Sequence, residues 1–243
     1  MVIPIIILFD LDGVILTQKA LEYTALLELK NKWYNWQNVE NMRLIDFARI
    51  FEESDSDNRL IAFREAFLAY QLIIPHRFKR FIFFLRFRYS YRKYEKIYEE
   101  INTQLIPILL KFKKKQIISA IVSNTRGKRL NFYRNKFQLD KYFSVFVSRD
   151  DVPIRKPHRY PIILALKLIK ERFKISKIDK NKVFYIGDLP SDIICAKNAS
   201  VNSIALLSGH GTNEHLRNSE PDIILQELKD ILEIGPFKKL LCN

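Results

Sequence analysis

The sequence has little cysteine, histidine and glycine, and the first two shortages exclude several kinds of site. Its two cysteines, Cys195 and Cys242, are too few for a disulfide scaffold or a multi-cysteine zinc site. Its four histidines are scattered, with no pair at i and i+4, so we expect no histidine-based metal centre. No stretch approaches the roughly 18 uncharged apolar residues that a membrane span requires.

Composition and charge narrow the class of protein without deciding its function. The 48% apolar and 28% charged content is that of a globular chain. The apolar start, Val2–Phe9, lacks a basic leader and runs into Asp10, so we expect no signal peptide and a cytoplasmic protein. The net charge of +14 is compatible with a nucleic-acid, membrane-surface or phosphorylated partner, and equally with a lysine-rich protein that has none of these.

Short apolar runs alternate with helical patterns over most of the chain. The alternation predicts a Rossmann-like parallel α/β sheet with helices on both faces, whose ligands bind at the carboxyl ends of the strands. The predicted strands are Val2–Phe9, Gln116–Val122, Tyr142–Val147, Lys182–Ile186 and Ser203–Leu207. The predicted helices are Lys128–Phe137, Pro161–Phe173, Ser191–Asn198 and Ile224–Leu232.

Residues 17–102 have a different character, since they contain no convincing strand. They hold 18 of the 31 aromatic residues, including both tryptophans, Trp33 and Trp36. Amphipathic patterns predict helices at Lys19–Lys32, Val39–Phe51, Asn58–Gln71 and Tyr91–Ile101. The sequence therefore predicts an all-helical domain, 17–102, inserted into an α/β core formed by 1–16 and 103–243.

The few glycines mark where the backbone needs them. Six glycines in 243 residues are about a third of the usual ~7%. A chain this poor in glycine is expected to keep it where a side chain would not fit. Four of the six follow or end a predicted strand, namely Gly13, Gly127, Gly187 and Gly209.

Acidic residues lie at two of these strand ends. Asp10 and Asp12 follow the first strand, where two carboxylates require a nearby cation or a shared proton, unless they simply cap a turn. Asp188 follows Gly187, and Asp192 follows four residues later. Hard oxygen ligands without histidine or cysteine favour Mg²⁺ over Zn²⁺, whereas a helix N-cap explains Asp192 but not Asp188.

Anion-binding groups follow the other strands. Ser123, Asn124 and Thr125 offer a hydroxyl, an amide and backbone N–H groups that suit a phosphate, although an ordinary helix cap would use the same residues. Lys156, before Pro157, offers a point charge for an anion or a carboxylate, or is simply solvated.

Taken in order, these motifs resemble those of the haloacid dehalogenase-like hydrolase superfamily. Asp-x-Asp-Gly, a strand-end serine, Lys-Pro and Gly-Asp-x-x-x-Asp follow successive strands. Ser208-Gly209-His210-Gly211 and Glu220-Pro221-Asp222 are similar to the tail of its phosphoglycolate-phosphatase-like branch. The helical insertion after the first motif resembles the cap domain of the first type.

The resemblance implies a phosphatase that forms an aspartyl-phosphate. Asp10 is expected to attack phosphorus, and Asp12 to protonate the leaving oxygen and later to deprotonate water. Ser123 and the N–H of Asn124 would hold the phosphoryl oxygens, and Lys156 would offset charge on the phosphate and the nucleophile.

The resemblance also implies a Mg²⁺ site. Asp10, the backbone carbonyl of Asp12 and Asp188 would bind the ion directly, and Asp192 would lie in or near the surrounding layer of residues. The expected partner is a small phosphorylated metabolite that the cap selects, and neither a nucleic acid nor a membrane span is expected. The sequence leaves the oligomeric state open.

Two alternatives remain open at this stage. Phosphosugar mutases share the same four motifs, and a basic binding protein without catalytic activity is compatible with the same fold. An acid at Asp12 favours a phosphatase over a dehalogenase, because an alkoxide leaving group needs a proton and a halide does not.

Residues 77–93 combine basic and aromatic side chains. Ala66–Tyr94 contains no acid and seven basic residues, which are Arg77, Lys79, Arg80, Arg86, Arg88, Arg92 and Lys93. We expect a cap helix with one packed apolar face and extended arginine stems. An electropositive lip that attracts anionic substrates, or a nucleic-acid or membrane contact, would produce the same pattern.

Overall fold

A computed structural model describes residues 4–17, 19–39, 64 and 66–241. Its sheet consists of six parallel strands in the order β3-β2-β1-β4-β5-β6. The strands are β1 (Ile6–Phe9), β2 (Ile118–Val122), β3 (Val145–Val147), β4 (Val183–Gly187), β5 (Asn202–Leu206) and β6 (Ile223–Leu225). The predicted parallel α/β sheet is confirmed.

Eight α-helices have bounds within the described residues, and Arg64 and residues 66–69 are also α-helical. They are α1 (Lys19–Leu29), α2 (Arg77–Tyr98), α3 (Leu105–Lys114), α4 (Gly127–Lys136), α5 (Tyr160–Arg172), α6 (Pro190–Ala199), α7 (Asn213–Asn218) and α8 (Gly235–Leu241). Short 3₁₀ helices occur at Lys32–Tyr34, Tyr70–Leu72, Leu139–Lys141, Arg149–Asp151, Lys180–Lys182 and Leu228–Glu233. None of these helices combines the length and the apolar sequence that a membrane crossing requires.

Three predicted strands begin too early because local turns precede them. Gln116 has a left-handed backbone with φ of 55°, so β2 starts only at Ile118. The 3₁₀ helix Leu139–Lys141 ends just before Tyr142, and β3 follows at Val145. Lys182 closes another 3₁₀ turn before β4. Strand existence was thus predicted correctly, and the starts were not.

The predicted helix Ile224–Leu232 is wrong. Ile223–Leu225 instead forms the edge strand β6, which pairs with β5, and Leu228–Glu233 forms a 3₁₀ helix. Apolar residues at Ile224, Leu228 and Ile231 fit a helical period as well as a short strand followed by a turn. Pairing with β5 decides between them, because it satisfies the backbone groups of an otherwise unpaired sheet edge.

Both faces of the sheet are covered by helices. Ile7 and Phe9 point into a core that α3 and α4 cover together with Phe237. Ile6 and Leu8, the alternate residues of the same strand, point into a second core covered by α5 and α6. A strand that is buried on both faces reads as a continuous apolar run, which explains the sequence of β1.

The chain divides into two compact units, one formed by 1–17 and 101–243 and the other by 18–100. In the second unit, α1 and α2 surround an aromatic core that includes Tyr34, Tyr70 and Phe83. The predicted helix Tyr91–Ile101 is the last part of the longer helix α2, which ends at Tyr98. Apart from Val39, the prediction for Val39–Phe51 lies outside the described residues, as does half of that for Asn58–Gln71. In the other half, Arg64 and residues 66–69 are α-helical, as predicted, and a 3₁₀ turn follows at Tyr70–Leu72.

Candidate active site

The sheet order brings three of the sequence motifs to one edge. Asp10 follows β1, Ser123 follows β2 and Asp188 follows β4, and β1 lies between the other two strands. All three side chains are buried. Carboxyl ends of parallel strands share one edge of the sheet, so these residues meet although 178 positions separate the first from the last.

A buried lysine connects two of the predicted acids. The Nζ of Lys156 donates to Oδ1 of Asp10 at 2.8 Å and to Oδ1 of Asp192 at 2.6 Å. It also donates to the hydroxyl of Tyr185 at 2.8 Å. Lys156 is 3% exposed, so the interpretation of this residue as a solvated lysine is wrong.

Asp192 anchors the loop between β4 and α6. Its Oδ2 accepts hydrogen bonds from the backbone N–H groups of Asp188 and Leu189, at 3.1 and 3.0 Å. Its Oδ1 is held by Lys156 and lies 3.2 Å from the hydroxyl of Tyr185. Asp192 therefore positions the backbone of Asp188 and the ammonium of Lys156 simultaneously.

The cluster carries more negative than positive charge. Asp10, Asp188 and Asp192 contribute three carboxyl groups and Lys156 a single ammonium, so the fully ionised cluster has two more negative than positive charges. Burial raises the pKa of Asp10 to about 8, although Lys156 opposes this effect. Burial alone would lower the pKa of Lys156, but Asp10 and Asp192 raise it well above its ordinary value. A divalent cation carries the charge that would balance this cluster.

The donor atoms also fit such a cation. Carboxylate oxygens of Asp10, Asp188 and Asp192 lie within 4.8 Å of one another. Oδ1 of Asp188 is buried and has no hydrogen-bond partner in the part of the chain that the structure describes. An unsatisfied buried carboxylate oxygen is costly unless something binds it, and an all-oxygen set suits Mg²⁺.

The absence of a side chain at four glycines makes room for Asp188 and Asp192. A Cβ at Gly13 would lie 1.9 Å from Oδ2 of Asp188, and one at Gly209 would lie 2.1 Å from its Cβ. A Cβ at Gly187 would lie 2.1 Å from the Cβ of Asp192, and one at Gly211 would lie 2.1 Å from the Asp188 carbonyl oxygen. Glycine is therefore required here by close packing around Asp188 and Asp192.

Asp12 has a separate set of partners. Arg129, in α4, donates to both of its carboxylate oxygens at 2.8 and 2.7 Å, and the Thr125 hydroxyl donates to Oδ2 at 2.6 Å. Burial alone would raise the pKa of Asp12, but Arg129 and Thr125 lower it to about 2. Arg129 is not among the predicted site residues, because its only signal in the sequence is its position one helical turn after Thr125.

The remaining predicted site residues lie beside the cluster of Asp10, Lys156, Asp188 and Asp192. Asn124 forms two hydrogen bonds with the backbone of Lys156, accepting from its N–H at 3.0 Å and donating to its carbonyl at 3.2 Å. The hydroxyl of Ser123 accepts from the N–H of Thr125 at 3.1 Å. His210, from the motif Ser208-Gly209-His210-Gly211, donates its backbone N–H to Oδ2 of Asp188, and its Nδ1 lies 3.0 Å from the same oxygen.

Comparison with known proteins identifies the family. The profile of the haloacid dehalogenase-like hydrolase family matches residues 7–206. A protein of Caldanaerobacter subterraneus subsp. tengcongensis, assigned as pyrophosphatase PpaX, is 30% identical over 142 residues, which are 58% of this chain and 61% of the relative. Phosphoglycolate phosphatase of Escherichia coli K12 is 37% identical over 92 residues, which are 38% of this chain and 34% of the relative.

A solved structure shares the fold. A chain from Haemophilus somnus, described as a predicted phosphoglycolate phosphatase, superposes with a TM-score of 0.66 at 20% identity and covers 96% of this chain and 98% of its own. The match to the family profile extends over most of the sequence, so this chain belongs to the haloacid dehalogenase-like hydrolase family. The chain spans 61% and 34% of the lengths of the two curated relatives. The family predicted from the motifs is confirmed.

Proposed function

We propose that this protein is a Mg²⁺-dependent phosphatase that hydrolyses a small phosphorylated metabolite through an aspartyl-phosphate on Asp10. The observation that carries the proposal is the buried cluster of Asp10, Lys156, Asp188 and Asp192, with its uncompensated negative charge and the unpartnered Oδ1 of Asp188. Its family relatives named as phosphatases support the same reaction class.

The first half of the reaction uses Asp10 as the nucleophile. Lys156 holds Oδ1 of Asp10, which orients the carboxylate for attack on phosphorus. Ser123 and the N–H of Asn124 bind the phosphoryl oxygens. The new Asp10–phosphorus bond forms while the bond to the leaving oxygen breaks, and the proton for that oxygen comes from Asp12.

The second half regenerates Asp10. Asp12 accepts a proton from water as the water attacks phosphorus, and the bond between Asp10 and phosphorus breaks to release phosphate. The partners of Asp12 hold its pKa at about 2, so Asp12 is ionised at neutral pH in this arrangement. The ionised carboxylate is the state that accepts a proton. Protonation for the first half therefore requires the contact with Arg129 to loosen.

A bound Mg²⁺ would supply positive charge that lets an anionic carboxylate approach an anionic phosphoryl group. Asp10 and Asp188 would hold it with their side chains, and Asp12 with its backbone carbonyl. Asp192 would act indirectly, since its oxygens already bind Lys156 and two backbone N–H groups.

The test is a phosphate-release screen over phosphorylated metabolites. The names of the relatives make pyrophosphate and phosphoglycolate the first two members of the panel. Activity is expected with Mg²⁺ and not with EDTA. Asp10→Asn is expected to fold and to lower kcat by on the order of 10⁴–10⁶-fold. The control Asp140→Asn makes the same change at an exposed residue that pairs with Arg134 and is expected to leave kcat unaltered.

The outcomes separate the alternatives. Phosphate release that survives in Asp10→Asn above a tenth of the wild-type rate would overturn the nucleophile. Transfer of phosphate between two positions of a sugar phosphate, without release, would support the mutase. Absence of any turnover across the panel would support a binding protein.

A further inference from the structure

The second unit contains a cavity that none of the proposed chemistry uses. It has a volume of about 540 Å³ and is lined by Arg64, Phe67, Gln71, Arg77 and Arg80, among others. This size lies in the range of small-molecule sites, about 300–1,000 Å³. Among the described residues, the lining offers three guanidinium groups and one amide and no carboxylate, which indicates a site for an anion.

Arg80 is the buried member of this lining. It is 3% exposed, whereas Arg64, Gln71 and Arg77 are exposed, so Arg80 is the least accessible of the polar lining residues. Its Nε and Nη1 have no hydrogen-bond partner in the described part of the chain, and its guanidinium lies 4.3 Å from the ring centroid of Phe67. A buried cation without a counter-charge is strongly unfavourable, so an occupant that supplies negative charge would stabilise it.

The start of α2 adds further positive charge at this cavity. The helix begins at Arg77, and its first turn contains no acidic residue but includes Lys79 and Arg80. Helix amino termini carry partial positive charge and ordinarily attract acidic side chains. Burial, and then the charge of Arg77, lower the pKa of Arg80. Cations at this end of a helix repel one another and the helix dipole, which an anion would relieve.

The other basic residues of 77–93 do not combine burial with unpartnered guanidinium atoms, as Arg80 does. Arg86 lies 3.5 Å from the buried carboxylate of Glu28, and Lys79 donates to the backbone carbonyl of Trp33. Phe83 and Phe87 on the same helix are buried in the aromatic core, as expected for a packed apolar face. The unexplained charge is therefore concentrated at the beginning of α2.

We propose that this cavity is a binding site for a small oxyanion, a phosphate or carboxylate group, with Arg80 as its buried contact. Arg77 and Arg64 bind at the outer end, and the amide of Gln71 donates a further hydrogen bond. The volume leaves room for an organic part beside Phe67. The anionic group belongs either to a separate ligand or to the substrate of the proposed phosphatase, and the site does not depend on that function.

Tryptophan fluorescence of the full-length protein tests binding. The only two tryptophans, Trp33 and Trp36, lie in the second unit, so their emission reports on this unit. Inorganic phosphate is titrated in EDTA, and isothermal titration calorimetry measures the same binding. A saturable change is expected for the wild-type protein. A wild-type protein without one would overturn the proposal.

Three variants locate the site. Arg80→Met keeps an unbranched stem over Phe67 and removes the guanidinium, so binding should weaken by about tenfold or more. Arg77→Gln alters an exposed residue and should weaken binding several-fold even if Arg80→Met folds poorly. Arg92→Met makes the matched change at an exposed position of α2 outside the cavity and should alter binding less than about twofold. Equal binding by the wild-type protein and both cavity variants would overturn the proposal.

A further variant distinguishes binding at this cavity from binding at the proposed catalytic site. Asp10→Asn abolishes the proposed hydrolysis and should retain the phosphate-dependent fluorescence change, so failure of either proposal is visible by itself. If Arg80→Met raises KM for the substrate without altering kcat, the anion is part of the substrate. If its KM is unaltered while phosphate binding is lost, the anion is a separate ligand.

Discussion

At the scale of single residues, Asp12 and Arg129 form the contact with the largest consequence for the proposed acid and base chemistry. Arg129 binds both carboxylate oxygens, and Thr125 adds a hydrogen bond to one of them. The two side chains are partly exposed, at 31% for Asp12 and 26% for Arg129, so solvent weakens their attraction. The protonation of Asp12 is therefore sensitive to one arginine that the motifs do not include.

Replacing Arg129 should raise the pKa of Asp12. Arg129→Gln removes the positive charge that favours the ionised carboxylate, so the pKa should rise from about 2 by one unit or more. Carboxyl chemical shifts followed by NMR during a pH titration measure this change. Arg126→Gln makes the same substitution at an exposed neighbour and should leave the titration unaltered. A rise in the pKa of Asp12 of less than about half a unit in Arg129→Gln would contradict the conclusion that Arg129 lowers this pKa.

At the scale of secondary-structure elements, the end of β4 and the loop after β5 are packed too closely for side chains. Gly187 and Gly209 approach Asp192 and Asp188, and a Cβ at either glycine would lie within about 2.1 Å of them. Real Cβ atoms do not approach other atoms this closely, so substitution must displace an acid of the cluster. Gly235, at the start of α8, has no atom within 4 Å of its Cβ position.

Gly209→Ala should therefore damage the metal site while Gly235→Ala should not. In Gly209→Ala, displacement of Asp188 is expected to raise the Mg²⁺ concentration needed for half-maximal phosphate release by about tenfold or more. In Gly235→Ala, stability should hold or increase by several tenths of a kcal/mol, because alanine is the better helix former. A Mg²⁺ titration of both variants provides the measurement. Equal Mg²⁺ requirements would contradict the close packing around Asp188.

The contact between β5 and the start of β6 predicts a pH effect on stability. The carboxylate of Asp222 accepts from the N–H of Ser203 at 2.7 Å and from its hydroxyl at 2.6 Å. Burial alone would raise the pKa of Asp222, but the Ser203 hydrogen bonds lower it below its ordinary value. Because the folded pKa is the lower one, the stabilisation is present above about pH 4 and is lost as pH falls.

Asp222→Asn should accordingly lower the free energy of unfolding by up to about 0.5 kcal/mol at pH 7, since asparagine still accepts hydrogen bonds but has no charge, and solvent screens the charge of an exposed carboxylate. The difference from wild type should shrink below about pH 4, where aspartate becomes protonated. Urea unfolding at pH 7 and pH 3.5 measures both values. A difference that is independent of pH would mean that the charge of Asp222 does not contribute.

At the scale of the whole molecule, charge is distributed very unevenly. The chain has a net charge of +14, yet the buried cluster at the sheet edge has three carboxylates for one ammonium. The second unit shows the opposite imbalance, with the buried Arg80 unpartnered among the described residues. Each unit thus contains a buried site with uncompensated charge, and the two sites are of opposite sign.

Mg²⁺ should consequently stabilise the folded protein. A ligand that binds only the folded state at about 100 times its Kd adds about 2.7 kcal/mol to the free energy of unfolding. For a chain of this size, this corresponds to a rise in Tm of about 5–10 °C. Melting curves with Mg²⁺ and with EDTA measure the rise, which Asp188→Asn should abolish and Asp140→Asn should retain. An equal rise in Asp188→Asn would place the stabilising ion elsewhere.

Sequence patterns alone were sufficient to predict the class of fold and the family. Buried parallel strands are continuous apolar runs, and the residues that follow them must share one edge, so Asp10, Ser123, Lys156 and Asp188 were recognisable without coordinates. The positions of the few glycines indicated the same part of the sheet. A chain with little glycine is expected to retain it where neighbouring atoms leave no room for a side chain. The roles of these residues in catalysis and metal binding, and the domain boundaries at 16 and 103, stay predictions.

The contacts between side chains from distant parts of the sequence could be identified only once the fold was known. Arg129 and Tyr185 contact the site from a helix and a strand interior, and no local pattern distinguishes them from ordinary surface and core residues. The edge strand Ile223–Leu225 was predicted as part of a helix because three residues are too few to show a period, and pairing with β5 settled its conformation. The basic run near Arg80 was visible in the sequence, but burial decides which of its charges lacks a partner, and burial depends on residues distant in the chain.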